Sequence, residues 1–379
     1  MQACKRLAKH MIWVTVFLAV SLSTQAKALS AQSAVVLDAD TGAVRFSHQA
    51  HQVLPMASTT KIMTALCAIE QGDLDRVYTV KPEYTQAEGS SMYLKPGEKL
   101  TIRDTLYGLM LMSGNDAALA IAGECGGQEQ FVGKMNDKAA ELGLIHTHFE
   151  NPNGLDGETH HTTAQELAQL TAEALKNPDF REIVGTWSTN RAGRVMTNHN
   201  KMLKLYDGAI GVKTGFTKKC GRCLVSAAER NGRTLVAVTL NDPDDWKDHA
   251  ELLDAAFAQY EPVILHESGE VVGEVPVEGG TEPVAALCAD RTVTVWLAPE
   301  EREQMRTTYR GRRFVYAPAV QGDYYGEILY QLGDTVLRTD TLTYEQDIEQ
   351  LPPKQGFLMR CMEFVRGLFG FQTEDDGKL

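Results

Sequence analysis

Pro55-Met56-Ala57-Ser58-Thr59-Thr60-Lys61-Ile62-Met63-Thr64-Ala65-Leu66-Cys67-Ala68-Ile69 is the stretch from which the rest of the chain is read. Ile62, Ala65, Leu66 and Ile69 recur at steps of three and four, the period of an α-helix with one apolar face. The pattern predicts a helix beginning at or just before Ser58. Ser58 and Lys61 are three residues apart, so a helix sets them on one side, one turn apart. A serine hydroxyl is a weak nucleophile at its free pKa and needs a base. Lysine serves as that base only when burial and a neighbouring cation lower its pKa toward the working range.

Outward from this helix, Ser33–Leu37 and Ala43–Ser47 read as two short strands joined by a turn at Asp40-Thr41-Gly42. A second helix is expected over Ile102–Leu111, with Thr101 as its N-cap, and it runs out into Ser113-Gly114-Asn115. Helices follow at Asp116–Ala122 and at 129–142, the latter stopped by Gly143. A polar loop spans His146–Thr162. A further helix covers Ala164–Leu175 and is closed by Asn177-Pro178. The pattern then switches to strands. AIGVKTG (209–215) is one, and CLVSAAE (223–229) and TLVAVTL (234–240) form a hairpin around Asn231-Gly232. His249–Phe257 reads as a closing helix. Strands at both ends with helices between them predict an α+β fold, an antiparallel sheet packed by a mostly helical region.

The two later motifs supply what the Ser58–Lys61 pair lacks. Ser113 carries a hydroxyl that can relay a proton from Lys61 to a leaving amine. Asn115 offers an amide that both donates and accepts, so it can hold a substrate amide and brace Lys61. Lys213 adds positive charge, which favours neutral Lys61 and attracts a carboxylate. Thr214 and Thr217 can hydrogen-bond that carboxylate. Gly215 lets an extended substrate lie against its strand. The oxyanion of an acyl-transfer step would sit between the N–H groups of Ser58 and Phe216.

Both ends of the chain carry other signals. Lys5, Arg6 and Lys9, the apolar Met11–Leu22 and the small-x-small Ala26-Lys27-Ala28 read as an export signal at residues 1–28. Its apolar run of about 12 residues falls short of the ~20 a spanning helix needs. Residues 29–262 are expected to form the catalytic domain. Around residue 262 the composition shifts to short strands broken by Gly and Pro, as in EVVGEVPVEGG (270–280) and RTVTVWLA (291–298), and 263–352 reads as a separate all-β domain. After Pro352-Pro353, residues 353–379 hold FLMRCMEFVRGLFGF (357–371) and a polar tail. As a helix this stretch clusters Arg360, Glu363 and Arg366 on a narrow polar face, suited to lying in a membrane interface.

The formal net charge is -13, with no basic block, which argues against nucleic-acid binding. Export permits disulfides, but the cysteines are irregularly spaced. Cys220-Gly221-Arg222-Cys223 precedes a strand rather than the helix N-terminus expected of a redox pair, so the reading is buried or paired structural cysteines. His146, His148, His160 and His161 lack metallopeptidase spacing and read as a solvated loop beside the cleft. Trp246 reads as a packing anchor. An acyl-serine mechanism needs neither metal nor cofactor.

The ordered trio Ser58-Thr59-Thr60-Lys61, Ser113-Gly114-Asn115 and Lys213-Thr214-Gly215, behind an export signal, resembles the penicillin-binding proteins, specifically the low-molecular-weight D-alanyl-D-alanine carboxypeptidases. Leu111–Ala118, Asn151-Pro152-Asn153-Gly154-Leu155 and Asp207–Thr217 also fit that family. The resemblance covers nearly the whole chain and leans to its sporulation-linked and Gram-positive members. It implies a β-lactamase/transpeptidase-like fold and removal of the terminal D-alanine from peptidoglycan stem pentapeptides through an acyl-enzyme on Ser58. It also implies covalent inhibition by β-lactams, and a location on the outer face of the cytoplasmic membrane, held there by the C-terminal helix. Some members carry an arginine at the start of the helix after the last core strand, where it helps hold the terminal carboxylate. Here that region reads Pro243-Asp244-Asp245-Trp246-Lys247-Asp248, so carboxylate binding is expected to rest on Lys213, Thr214 and Thr217. The same machinery is compatible with a peptidoglycan endopeptidase. A class A-like β-lactamase would need a deacylating glutamate, but its Glu-Pro-x-Leu-Asn string is absent and Glu166 reads as a surface position of an ordinary helix.

Overall fold

The computed structural model describes residues 29–352 and, beyond them, Cys361, Phe364 and Val365. The export signal at 1–28 and most of the amphipathic stretch at 357–371 lie outside the described residues. Two strands open the chain, β1 (Ser33–Asp38) and β2 (Val44–His48). In the turn between them the Asp38 carboxylate accepts from the N–H groups of Asp40 and Thr41, both at 2.9 Å. A single 3-10 turn over Ala57–Thr60 leads into α1 (Lys61–Glu70). Lys61 to Ile69 are all buried, although the sequence assigns the helix one apolar face. The reason is position: α1 is the central helix, packed by its neighbours on every side.

A small ribbon, β3 (Val77–Thr79) with β4 (Lys99–Thr101), leads into α2 (Ile102–Leu111). Thr101 and Asp104 form a reciprocal capping box there. Three helices follow: α3 (Asn115–Glu124), α4 (Gln128–Glu141) and α5 (Ala164–Leu175), the last capped by Thr163. Asn177-Pro178 ends α5 as expected, but it also starts α6 (Pro178–Gly185), which the sequence reading did not contain. The Asn177 side chain accepts from the N–H groups of Asp179 and Phe180, and proline is well suited to the first helical position. A polar hairpin, β5 (Ser188–Arg191) with β6 (Arg194–Thr197), and the one-turn α7 (Met202–Leu205) were likewise not foreseen.

The main sheet is completed by β7 (Ala209–Thr217), β8 (Gly221–Arg230) and β9 (Arg233–Leu240), and α8 (Asp245–Phe257) closes the unit. Its order is β2-β1-β9-β8-β7, antiparallel throughout, so β7 forms one edge. The twofold alternation of strand side chains sorts the sheet into two cores. Val35, Leu37, Val225, Ala227, Val236 and Val238 face the helical region, while Ala34, Val36, Leu224, Leu235 and Ala237 face α8 through Leu253 and Ala256. α8 begins four residues before the expected His249. Asp245 and Asp248 occupy its first turn, where the helix dipole favours acidic groups.

The β-rich part comprises β10 (Glu261–His266), β11 (Val271–Glu278), β12 (Val284–Ala289), β13 (Val293–Leu297), the short α9 (Pro299–Arg302), β14 (Met305–Arg310), β15 (Val315–Tyr316), β16 (Tyr324–Leu332) and β17 (Thr335–Tyr344). Six of its strands form one sheet, β14-β16-β17-β12-β11-β15, with its own apolar core. A buried charge network joins it to the first sheet. Glu301 of α9 pairs with Arg45 of β2 and with Arg233 of β9, and Arg233 also meets Asp38 at 3.2 Å. The Tyr260 hydroxyl donates to Asp38 at 2.5 Å, and both arginines lie 4.8 Å from its ring centroid.

Candidate active site

The residues assigned to the three motifs converge at the N-terminus of α1, the α2–α3 junction and the edge strand β7. Ser58 sits in the 3-10 turn and is half-buried, while Lys61, the first residue of α1, is fully buried. The Lys61 Nζ lies 2.9 Å from Ser58 Oγ, 2.7 Å from Asn115 Oδ1 and 2.5 Å from the carbonyl oxygen of Asn153. A neutral amine has two N–H groups and one lone pair. Two of its three neighbours are carbonyl oxygens that can only accept, so the lone pair is left for the Ser58 hydroxyl proton.

The electrostatics favour that neutral form. Burial pushes the Lys61 pKa well below the ordinary lysine value, the nearby Lys213 pushes it further down, and Asp116 opposes with a smaller effect. Lys213 is itself buried, and burial brings it down to about 7. Its Nζ donates to Ser113 Oγ at 3.0 Å and to the Thr214 carbonyl at 2.8 Å. Ser113, the expected proton relay, is thus held by Lys213.

The local backbone explains why these side chains meet. Ser113 takes a left-handed conformation, φ 58°, which turns the chain sharply from α2 into α3. The Asp116 carboxylate pins the facing loop by accepting from the N–H groups of Met92 and Leu94 at 2.9 and 3.0 Å. Asn115 Nδ2 donates to the Glu88 carbonyl at 2.5 Å, leaving Oδ1 aimed at Lys61. The loop of Asn151 to Leu155 lies directly under Ser58. The Pro152 carbonyl accepts from Thr64, and a Cβ at Gly154 would come within 2.0 Å of the Ala57 carbonyl oxygen, so only glycine fits.

His160 also belongs to this support. The sequence places it with the other histidines in a solvated loop, but it is buried. Its Nδ1 accepts from the Glu150 N–H at 3.0 Å, which leaves Nε2–H to donate to Thr60 Oγ1 at 2.7 Å. Burial pushes its pKa down to about 4, so it is neutral at ordinary pH and braces the Ser58 turn. Glu166 is a second correction. It is buried rather than on the surface, and its carboxylate accepts from the His146 N–H and the Thr147 hydroxyl.

On β7, register with β8 decides which way each side chain points. Lys213 and Gly215 pair with Val225 and Cys223 and face the helical region. Thr214 and Phe216 pair with Leu224 and Arg222 and face the α8 side. A Cβ at Gly215 would lie 3.1 Å from the Met56 carbonyl and 3.2 Å from the Ser58 nitrogen, so the strand presses directly on the nucleophile's turn. Thr217 lies farther along. Its hydroxyl donates to Asp156 at 2.9 Å and accepts from the Cys220 N–H at 3.1 Å. Cys220 and Cys223 are buried thiols 4.0 Å apart.

A cleft of about 580 Å³ runs along the free edge of β7. Ser58, Ser113, Thr214, Gly215 and Phe216 line it. Trp187, Thr197, Asn198, His199 and Lys201 form a wall that the sequence reading missed, because the polar β5–β6 ribbon has no alternating apolar pattern to announce it. Arg222, Asp245 and Trp246 close the other end. Trp246 does pack on the second core, as read, and it lines the cleft as well.

A serine hydrogen-bonded to a buried lysine of lowered basicity, a second serine held by a second lysine and an edge strand open to an extended ligand define a serine acyl-transfer enzyme. Residues 20–244 match the D-alanyl-D-alanine carboxypeptidase family, and 260–350 match the C-terminal domain of penicillin-binding protein 5. The chain is similar to D-alanyl-D-alanine carboxypeptidase DacF of Bacillus subtilis, at 31% identity over 88% of this chain and 89% of the relative. It is also similar to DacB2 of Mycobacterium tuberculosis, at 38% identity over 60% of this chain and 82% of that one. The crystal structure of penicillin-binding protein 5 from Haemophilus influenzae has the same fold, with a TM-score of 0.60 at 24% identity, covering 85% of this chain and 98% of that one. The chain belongs to the D-alanyl-D-alanine carboxypeptidase family, the low-molecular-weight penicillin-binding proteins.

Proposed function

We propose that this protein removes the terminal D-alanine from peptidoglycan stem pentapeptides, with Ser58 as the nucleophile. The observation that carries the reading is the contact of Ser58 Oγ with a fully buried Lys61 whose other two neighbours are carbonyl oxygens. In this reading the peptide lies along the edge of β7. Ser58 Oγ attacks the carbonyl carbon of the penultimate D-alanine and gives its proton to Lys61. The N–H groups of Ser58 and Phe216 hold the oxyanion. The C–N bond then breaks. The leaving amine takes a proton through the Ser113 hydroxyl, which Lys213 holds in place, and water hydrolyses the acyl-enzyme. Asn115 keeps Lys61 in position, and Thr214 with Lys213 favours a substrate ending in a carboxylate. A β-lactam would acylate Ser58 by the same steps and leave slowly.

Residues 1–28 serve as an export signal in this account, 29–262 carry the chemistry and 263–352 support them. The stretch at 357–371 holds the protein at the outer face of the cytoplasmic membrane. The buried Glu166, committed to the turn at His146 and Thr147, supports a peptidase over a class A-like β-lactamase. The test is release of D-alanine from a peptide ending in D-Ala-D-Ala. Stoichiometric release by the wild type and none by Ser58→Ala is expected. Cleavage only of cross-linked dimers would make the protein an endopeptidase instead.

A further inference from the structure

We propose that Arg222, on β8, is the residue that receives the substrate's terminal carboxylate, a specificity-determining role beyond the groups that perform acyl transfer. The inference rests on the carboxypeptidase reading above.

Arg222 stands opposite Phe216 in the β7–β8 register. It therefore lies on the same face of the sheet as Thr214, two residues back along β7. The cleft wraps around the edge of β7, with Ser58 and Ser113 on one side and Thr214, Arg222, Asp245 and Trp246 on the other. A peptide laid along that edge with its scissile carbonyl at Ser58 carries its last carboxylate toward this second group.

The guanidinium is prepared for such a ligand. Its Nε and Nη2 donate to the Asp245 carboxylate at 3.1 and 2.8 Å, so one edge of the fork is fixed. Asp245 is itself buried, and its Oδ1 accepts from the Trp246 N–H at 2.9 Å in the first turn of α8. The Arg222 guanidinium carbon lies 5.6 Å from the Trp246 ring centroid. Nη1 makes no hydrogen bond among the described residues, and the side chain is 41% exposed, open to the cleft. A planar donor with one edge anchored and the other free matches one end of a carboxylate, with little side-chain entropy left to lose.

The other groups that could meet the carboxylate are differently placed. Lys213 is buried and donates to Ser113 and to the Thr214 carbonyl, so it favours the carboxylate by its charge. Thr217, expected to share in carboxylate binding, spends its hydroxyl on Asp156 and Cys220. Lys201 also lines the cleft, from an exposed turn, and its variant separates it from Arg222.

The experiment compares a peptide ending in D-Ala-D-Ala with its C-terminal carboxamide, on wild type, Arg222→Gln, Arg222→Lys and Lys201→Gln, with thermal melts as a check on folding. Arg222→Gln is expected to lower kcat/KM for the free acid by tenfold or more, mainly through KM, and to leave the carboxamide within about twofold. Arg222→Lys recovers part of the loss, and Lys201→Gln keeps the preference for the free acid. An equal fall for both substrates would assign Arg222 to support of the cleft wall and overturn the proposal, as would no change, or loss of the free-acid preference in Lys201→Gln instead. If the wild type cleaved neither peptide, releasing neither D-alanine nor D-alaninamide, the carboxypeptidase reading would fail first. The same variants would then be compared on acylation by benzylpenicillin and its methyl ester, where loss of the preference for the free acid supports Arg222 and its persistence overturns it.

Discussion

At the scale of the residue, the site depends on two buried lysines being less basic than lysine normally is. Lys61 must be neutral to accept the Ser58 proton, so acylation falls as pH drops through its lowered pKa. Lys213, after burial, is the second cause of that lowering. Replacing it by an uncharged residue lets the Lys61 pKa climb. In Lys213→Gln the acid limb of the pH profile for penicillin acylation is therefore expected to move to higher pH, on top of a lower plateau. Stopped-flow rates across about pH 5 to 10, a range below the ordinary lysine pKa of ~10.4, would show the shift, and an unmoved limb would separate Lys213 from Lys61.

The same lysine has a stability signature. Its folded pKa, about 7, lies below that of an exposed lysine, so the unfolded chain binds more protons between these values. Stability from this group therefore rises with pH through that window, and the penalty is fully present below the folded pKa. Lys213→Met is expected to raise Tm most at pH 6, less at pH 9, and to abolish acylation. A gain independent of pH would mean that the burial cost of the charge is not what the variant removes.

At the scale of the element, the decisive contact is β7 against the turn before α1. Gly215→Ala would place a methyl group 3.2 Å from the Ser58 nitrogen. The strand would move outward by a few tenths of an ångström, carrying the Phe216 N–H away from Ser58. Acylation is expected to drop by roughly 10- to 100-fold, the scale of a small misplacement at a reacting centre. Tm should change little, because β7 keeps its pairing with β8. Unchanged acylation would show that the strand can yield without cost.

Much at this scale was legible in the sequence. The start of α2 follows from Thr101, a side-chain cap that fixes where a helix can begin. The hairpin at Asn231-Gly232 and the one-turn spacing of Ser58 and Lys61 are local facts as well. The β5–β6 ribbon was not legible because it is polar and has no apolar period. Nor was the burial of His160 and Glu166, which only the path of the 146–162 loop determines. The Ser113–Lys213 bond joins residues a hundred positions apart, and only the β7 register decides it.

At the scale of the whole molecule, the two β-sheet units are joined through Glu301. It answers two buried arginines, Arg45 and Arg233, and its side chain is only 5% exposed. Glu301→Ala leaves both without their shared carboxylate. Removing one partner of a buried pair costs about 3–5 kcal/mol. The variant is expected to melt earlier and, by calorimetry, in two transitions, while penicillin acylation at 25 °C persists (a working temperature; the cleft is built without α9 residues). A single unshifted transition would remove the network from the account of how the units are held. The C-terminal stretch gives a separate expectation: a chain ended at Pro352 keeps its acylation rate and no longer sediments with anionic lipid vesicles, whereas the chain extending to Leu379 does.

The central claim is that Ser58 forms the acyl-enzyme. Intact-mass measurement of the mature protein after incubation with benzylpenicillin, followed by peptide mapping, tests it most directly. The account predicts one persistent adduct with the mass of the whole antibiotic, located on Ser58 and absent from Ser58→Ala. An adduct retained in Ser58→Ala, or no adduct on a wild-type protein shown to be folded, would contradict it.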